Sequence, residues 1–163
     1  MPTSEFKMTT VAQRIYELST SYDNFQFITE GDWIVNPNYE FTDAIALAWS
    51  DEFTVYDDYS YIISGNWYDY SRTSLNAVVP EGGVGYDVDL QVGTDDDAVF
   101  LVATVYKNAT TGTANVVGEY GHVEIMASSI GLGFSSTPPS VSMSVGFQSN
   151  LEKASPAYDD FAY

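Results

Sequence analysis

The feature that most constrains the fold is a period of two in the apolar residues, sustained over most of the chain. Ile130, Leu132 and Phe134 alternate with Gly131, Gly133 and Ser135. Beyond Pro138-Pro139, Val141, Met143, Val145 and Phe147 alternate with Ser140, Ser142, Ser144 and Gly146. Successive side chains of a strand point to opposite faces, so this is a hairpin with one wholly apolar face and one of only Gly and Ser. The same period runs through Val84, Tyr86, Val88, Leu90 and Val92, which follow a Pro80-Glu81-Gly82-Gly83 loop. Upstream, Phe41, Ile45, Leu47, Trp49, Phe53 and Val55 occupy odd positions and read as a half-buried sheet face. Asp57-Asp58 reads as a turn or bulge and Gly65-Asn66 as a turn. Ala98–Tyr106 is apolar on both faces, as expected of a central strand. Regular strands with turns every ~8–12 residues predict an all-β fold, either a β-sandwich or a jelly-roll-like barrel.

Only the start of the chain departs from this period. Val11, Ile15, Leu18 and Tyr22 recur at helical spacing, with Thr10 and Gln13 at capping-box positions. This predicts one short N-terminal α-helix over residues 10–21. The expected organisation is a flexible arm over 1–9, a single β-rich domain over 10–148 that includes the helix, and an acidic aromatic tail over 149–163. The tail reads either as a terminal strand packed at home or as a strand added to a neighbouring subunit.

Charge narrows the partners. Twenty-three Asp and Glu face five Lys and Arg, a formal net charge of −18. The cations are scattered singly, so the basic patch of a nucleic-acid binder is missing. No apolar run approaches the ~20 residues of a membrane-spanning helix. There is no Cys and one His, which excludes disulfides, thiolate metal sites and multi-His metal centres. Acidic chains that stay disordered are poor in aromatics; with 13 Tyr, 9 Phe and 3 Trp, this one is expected to fold.

The run Ser74-Leu75-Asn76, then Pro80-Glu81-Gly82-Gly83-Val84-Gly85-Tyr86-Asp87-Val88-Asp89-Leu90, resembles small exported all-β proteins of Gram-positive bacteria. Tyr120-Gly121-His122 and the Gly/Ser-alternating hairpin are similar in style, so the likeness covers the second half of the chain. It implies export and a β-sandwich, with an extracellular or cell-surface location. It implies no site residues.

Two clusters carry candidate chemistry. Asp87 and Asp89 lie two apart on one strand and share a face, and the following loop adds Asp95 and Asp97 among its acids. Clustered oxygen ligands suit a hard cation, so Ca²⁺ is the candidate ligand, although the Asp-x-Asp-x-Asp-Gly order of a calcium loop is missing. A solvated strand face followed by a polar turn explains the same residues. The second cluster is Tyr59, Tyr61, Trp67, Tyr68 and Tyr70, interleaved with Asp57, Asp58 and Asp69. Flat rings beside acceptors offer stacking surface for sugars or cation–π surface for Lys and Arg; cross-strand packing is the plainer explanation. His122 shares a strand face with Tyr120 and Glu124, which permits an imidazole–carboxylate pair, but no nucleophile elbow accompanies it, and a surface histidine is expected. No carboxylate pair stands out as a glycosidase signature. The chain therefore reads as non-catalytic: a structural, assembly or adhesion module whose partner is itself, another surface protein or a glycan. The alternative is a glycan-binding module using the aromatic cluster, and an acidic nucleic-acid mimic is a weaker reading still.

Overall fold

The computed structural model describes residues 1–2, 4–15, 23–37, 41–51, 53–90, 96–107, 111–124, 130–146 and 150–163. The described elements are all strands. They are β1 (Phe6–Ile15), β2 (Asp23–Trp33), β3 (Thr42–Trp49), β4 (Thr54–Ser64), β5 (Trp67–Asp69), β6 (Thr73–Val79) and β7 (Gly83–Asp89). There follow β8 (Asp96–Lys107), β9 (Thr113–Val123), β10 (Ile130–Ser136), β11 (Pro139–Val145), β12 (Leu151–Lys153) and β13 (Ala157–Ala162). A five-stranded antiparallel sheet has the order β1-β2-β8-β4-β5, and a second sheet has the order β12-β9-β3-β7-β6, with β13 also pairing β9. The two face each other in a sandwich-like stack, because one core draws Phe6, Phe25, Phe27, Ile62 and Leu101 from the first and Ile45, Leu47, Trp49, Val84 and Tyr120 from the second. Neither sheet closes into a barrel: β1 and β5 are edges of the first, β12 and β6 of the second.

The all-β expectation holds, and the N-terminal helix does not. Residues 6–15 form β1, paired with β2 from Phe6↔Trp33 to Ile15↔Asn24. Residues 6–9, expected to belong to a flexible arm, are therefore the first half of a strand, and Phe6 is buried. The stretch also carries a period of two, with Phe6, Met8 and Ala12 packed on the core. Sheet pairing overrides local helical spacing here. The presumed cap serves the sheet instead: Thr10 Oγ1 and Thr29 Oγ1 share a hydrogen bond of 3.0 Å, and Gln13 Nε2 donates to Gln26 Oε1 at 2.9 Å.

β8 is the central strand of its sheet, as its two apolar faces require. β4 carries a bulge between Val55 and Asp57, next to the acidic pair read as a turn or bulge. The Gly65-Asn66 turn joins β4 to β5, and Gly65 has φ 58°, a conformation that favours glycine. β3 differs from the half-buried reading, since every residue from Asp43 to Trp49 is buried. The cause is a third layer. The β10–β11 hairpin lies over the outer face of the second sheet, where Leu132, Phe134, Val141 and Met143 cover Ala46, Ala48 and Val117. Glycines make the bed for it. A Cβ on Gly83 would overlap the Phe134 ring and sit 2.7 Å from the Leu47 carbonyl oxygen, and one on Gly85 would overlap Leu132.

The tail packs at home. β13 pairs with β9 from Ala157↔Gly118 to Ala162↔Thr113. Tyr163 then exchanges both backbone hydrogen bonds with Gly112, and its hydroxyl donates to Asp51, which also pairs with Lys107 at 2.8 Å.

Candidate functional site

The outer face of the five-stranded sheet is built by register. Tyr59 and Tyr61 alternate outward on β4, between the inward Ser60 and Ile62, which are 3% and 1% exposed. Pairing sets Tyr61 opposite Phe100, and Phe100 opposite Glu30. One row further, Tyr59 lies opposite Val102, Val102 opposite Ile28, and Ile28 opposite Val11. The short hairpin adds Tyr68 opposite Ile63. An aromatic cluster on β4, β5 and β8 thus continues into an aliphatic band that reaches β1.

Tyr61 is the hub of the cluster. Its ring stacks on Phe100 at 5.0 Å with an interplanar angle of 5°, meets Tyr68 edge-on at 5.5 Å, and lies 5.1 Å from Tyr70. Tyr59 stacks on Tyr61 at 6.2 Å and approaches Tyr70 at 6.3 Å. Tyr68 and Tyr70 remain more than half exposed, and Trp67, at the tip of the hairpin, is 80% exposed. Of the five residues proposed from the sequence, four meet in one cluster; Trp67 stands beside them on the same hairpin. Phe100, which completes the surface, escaped the sequence reading because it lies on a strand apolar on both faces.

Acids rim this surface and hold its protons. Burial raises the Tyr59 hydroxyl pKa above its ordinary range, helped by Tyr70 and Asp57, and burial followed by Tyr59, Tyr70, Tyr68 and Glu30 does the same for Tyr61. Glu30 is raised as well, first by burial and then by Asp32, with Lys7 pulling the other way. Asp69 is lowered, because Ser71 donates to it from its hydroxyl at 2.7 Å and its backbone N–H at 2.9 Å, which fixes the turn after β5. The result is a face of neutral hydroxyls and rings bordered by carboxylates.

The proposed cation ligands are only partly brought together. Asp87 and Asp89 follow Gly83 and Gly85 on the outer face of β7. Asp87 accepts from Asn76 Nδ2 at 2.6 Å, and the same amide nitrogen donates to Ile130 O at 2.8 Å, so this carboxylate helps tie the hairpin down. Its pKa is raised by burial, against the pull of Asn76. Asp95 and the side chain of Asp97 lie outside the described residues. Among the described residues no three His, Cys, Asp or Glu are grouped to hold a metal ion.

His122 is not the surface residue expected. It is 5% exposed, and its partner is Asp43 rather than Glu124. Asp43, fully buried, takes His122 Nδ1 at 2.9 Å, the Tyr120 hydroxyl at 2.5 Å and the Val123 N–H at 2.9 Å. Burial raises the Asp43 pKa, and the hydrogen bonds from His122, Tyr120 and Val123 oppose that rise. Asp43 had a faint signal, a lone acid opening the apolar run Ala44–Trp49.

No family model matches the sequence, and no curated protein matches it. Among solved structures, the chain is similar to one described as "Pore forming protein", at 10% identity and a TM-score of 0.38, over 96% of this chain and 90% of that one. At that identity and score the likeness assigns neither a family nor a function.

Proposed function

We propose that the protein is a non-catalytic recognition and adhesion module, acting outside the cell or at its surface, that binds a glycan on the aromatic face of β4, β5 and β8. The observation that carries this reading is the cluster of exposed Tyr59, Tyr68 and Tyr70 around half-buried Tyr61 and Phe100, with Trp67 at the hairpin tip. Ring faces stack on the C–H faces of sugars, and neutral tyrosine hydroxyls and rim carboxylates supply the hydrogen bonds that orient them. A net charge of −18 favours a neutral or cationic partner over an anionic one. Self-assembly through tail exchange has less support, since β13 is already paired with β9 of its own chain. Export, inferred from the likeness to small exported all-β proteins, belongs to the same proposal. So does Ca²⁺ at Asp87 and Asp89, whose support is their common face and whose test is a rise in Tm specific to Ca²⁺ and lost in Asp89→Asn.

A glycan array tests the main reading. The wild-type chain is expected to bind a defined subset of neutral glycans. Trp67→Ala should abolish or strongly weaken that binding while changing stability by no more than ~0.5 kcal/mol, as for an exposed side chain. An array without hits, or hits that survive Trp67→Ala and Tyr70→Ala together, refutes it.

A further inference from the structure

Between Glu124 and Glu152 the sequence holds no charged side chain: all 23 Asp and Glu and all five Lys and Arg lie outside residues 125–151. This run contains β10 and β11. Among the described residues the two strands pair with each other and with no other strand. The register sets Ile130, Leu132 and Phe134 opposite Val145, Met143 and Val141, which makes one apolar face. Gly131, Gly133 and Ser135 lie opposite Ser144, Ser142 and Ser140 on the other. The apolar face is incompletely covered by the second sheet. Ile130 and Val141 are buried, while Leu132, Phe134, Met143 and Val145 remain half-buried. Asn76 Nδ2 ties the base of the hairpin at Ile130 O, 2.8 Å away.

Covering the second sheet accounts for the apolar face. It does not account for the absence of charge on the opposite one, where Gly131, Ser135, Ser140, Ser142 and Ser144 face solvent. Elsewhere the surface of this chain is rich in acids. Strands that cross a bilayer as a barrel alternate apolar side chains toward lipid with small or polar ones toward water, and a charge on the lipid side is penalised steeply at the midplane. Such strands need ~9–11 residues, far fewer than a helix. β10 and β11 have 7 residues each. In the sequence Met126 and Phe147 extend the two apolar sets, so that segments 126–134 and 139–147 reach the required length. One hairpin cannot cross alone, because its outer edges would leave backbone groups unpaired in hydrocarbon. Hairpins of several copies must pair side by side, about four or more, since the smallest barrels have ~8 strands. An uncharged hairpin lets copies meet there without bringing acids together.

We propose that the β10–β11 hairpin leaves the second sheet and inserts into the hydrocarbon of a lipid bilayer, pairing with hairpins of other copies in a barrel lined by the Gly and Ser face. A net charge of −18 directs it to neutral rather than anionic lipid. The proposal does not rest on glycan binding at the aromatic face.

The test mixes the full chain with glycan-free phosphatidylcholine vesicles loaded with calcein. Leakage is expected, rising more steeply than the first power of protein concentration. The chain has no Cys, so Ser142→Cys, Met143→Cys, Ser144→Cys and Val145→Cys can each carry one thiol-reactive dye. With nitroxide-labelled lipid tails in the vesicles, dyes at 143 and 145 are expected to be quenched and dyes at 142 and 144 are not. Asn76→Ala removes the tie at Ile130 and should speed leakage about three- to tenfold. The proposal is overturned if the wild-type chain releases no calcein, if both faces are quenched equally or neither is, or if Asn76→Ala leaks no faster. Association of copies in solution without quenching by lipid would mean that the hairpin exchanges between protomers, and overturns it as well. Should Met143→Cys or Val145→Cys not fold, wild-type leakage and the Asn76→Ala comparison decide.

Discussion

Gly83 and Gly85 show how much of this fold turns on single atoms. Both lie under the apolar side of the β10–β11 hairpin, where Phe134 and Leu132 occupy the space a Cβ would take. At Gly85 the obstacle is the end of a flexible leucine, with Ala46 Cβ at 3.3 Å behind it. At Gly83 it includes the Leu47 backbone carbonyl, which cannot move without disturbing β3. Gly83→Ala is therefore expected to cost ~1–3 kcal/mol, the usual range for overpacking, and Gly85→Ala less. Urea unfolding of the two variants checks the order; equal costs, or a larger one at Gly85, contradict the packing account. Single residues were also where the sequence was hardest to read. His122 looked like a surface residue because its partner, Asp43, is 79 positions away. Only the β3–β9 pairing, Ala44↔Gly121, brings them together. The tyrosine cluster was legible because alternation alone puts Tyr59 and Tyr61 on one face, whereas Phe100 needed the β4–β8 register.

At the scale of elements, strands were legible wherever the period of two was unambiguous, and β1 was lost where two periods overlapped. Val11 and Ile15 fit a helix; Phe6, Met8 and Ala12 fit a strand and are the residues that reach the core. The hairpin was legible as a hairpin, but its place was not, since nothing local says which face of which sheet an apolar strip will cover. Its placement has a dynamic consequence. β10 and β11 pair only with each other, while β3 is hydrogen-bonded on both sides, to β7 and to β9. Side-chain packing and the Asn76 bond to Ile130 hold the hairpin down. Elements held this way open locally at less than the global free energy. Native-state hydrogen exchange is expected to show the paired amides of residues 130–145 exchanging well before those of residues 44–49, and Asn76→Ala should widen the gap. Equal protection of the two segments contradicts this.

For the whole molecule, the excess of acid sets how stability depends on pH, with opposite signs for buried and for paired carboxyls. Burial lifts Asp43, Asp87 and Glu30 above the ordinary carboxylate range of ~4. The folded state then binds their protons more readily than the unfolded chain does. Their contribution is complete below the ordinary pKa and is lost as pH rises through the folded values. Asp51 and Asp69 run the other way. Slight burial raises Asp51, but the hydrogen bonds from Lys107 and Tyr163 outweigh it, and Ser71 lowers Asp69. What those two contribute is present above the ordinary pKa and lost as pH falls through their folded values; both are exposed enough for solvent to screen most of it. General repulsion at −18 adds to the first group, because protonation relieves it. The unfolding free energy should therefore rise as pH falls toward the ordinary carboxylate pKa of ~4, and decline only below it. Urea titrations across that range provide the measurement, and added NaCl should flatten the part due to general repulsion, which a Debye length of ~8 Å already limits at physiological salt. Asp43→Asn removes the most buried of the titrating groups and should reduce the rise further. A stability that shows no rise as pH falls toward ~4, and only a loss below it, would mean that the paired acids, not the buried ones, govern this molecule.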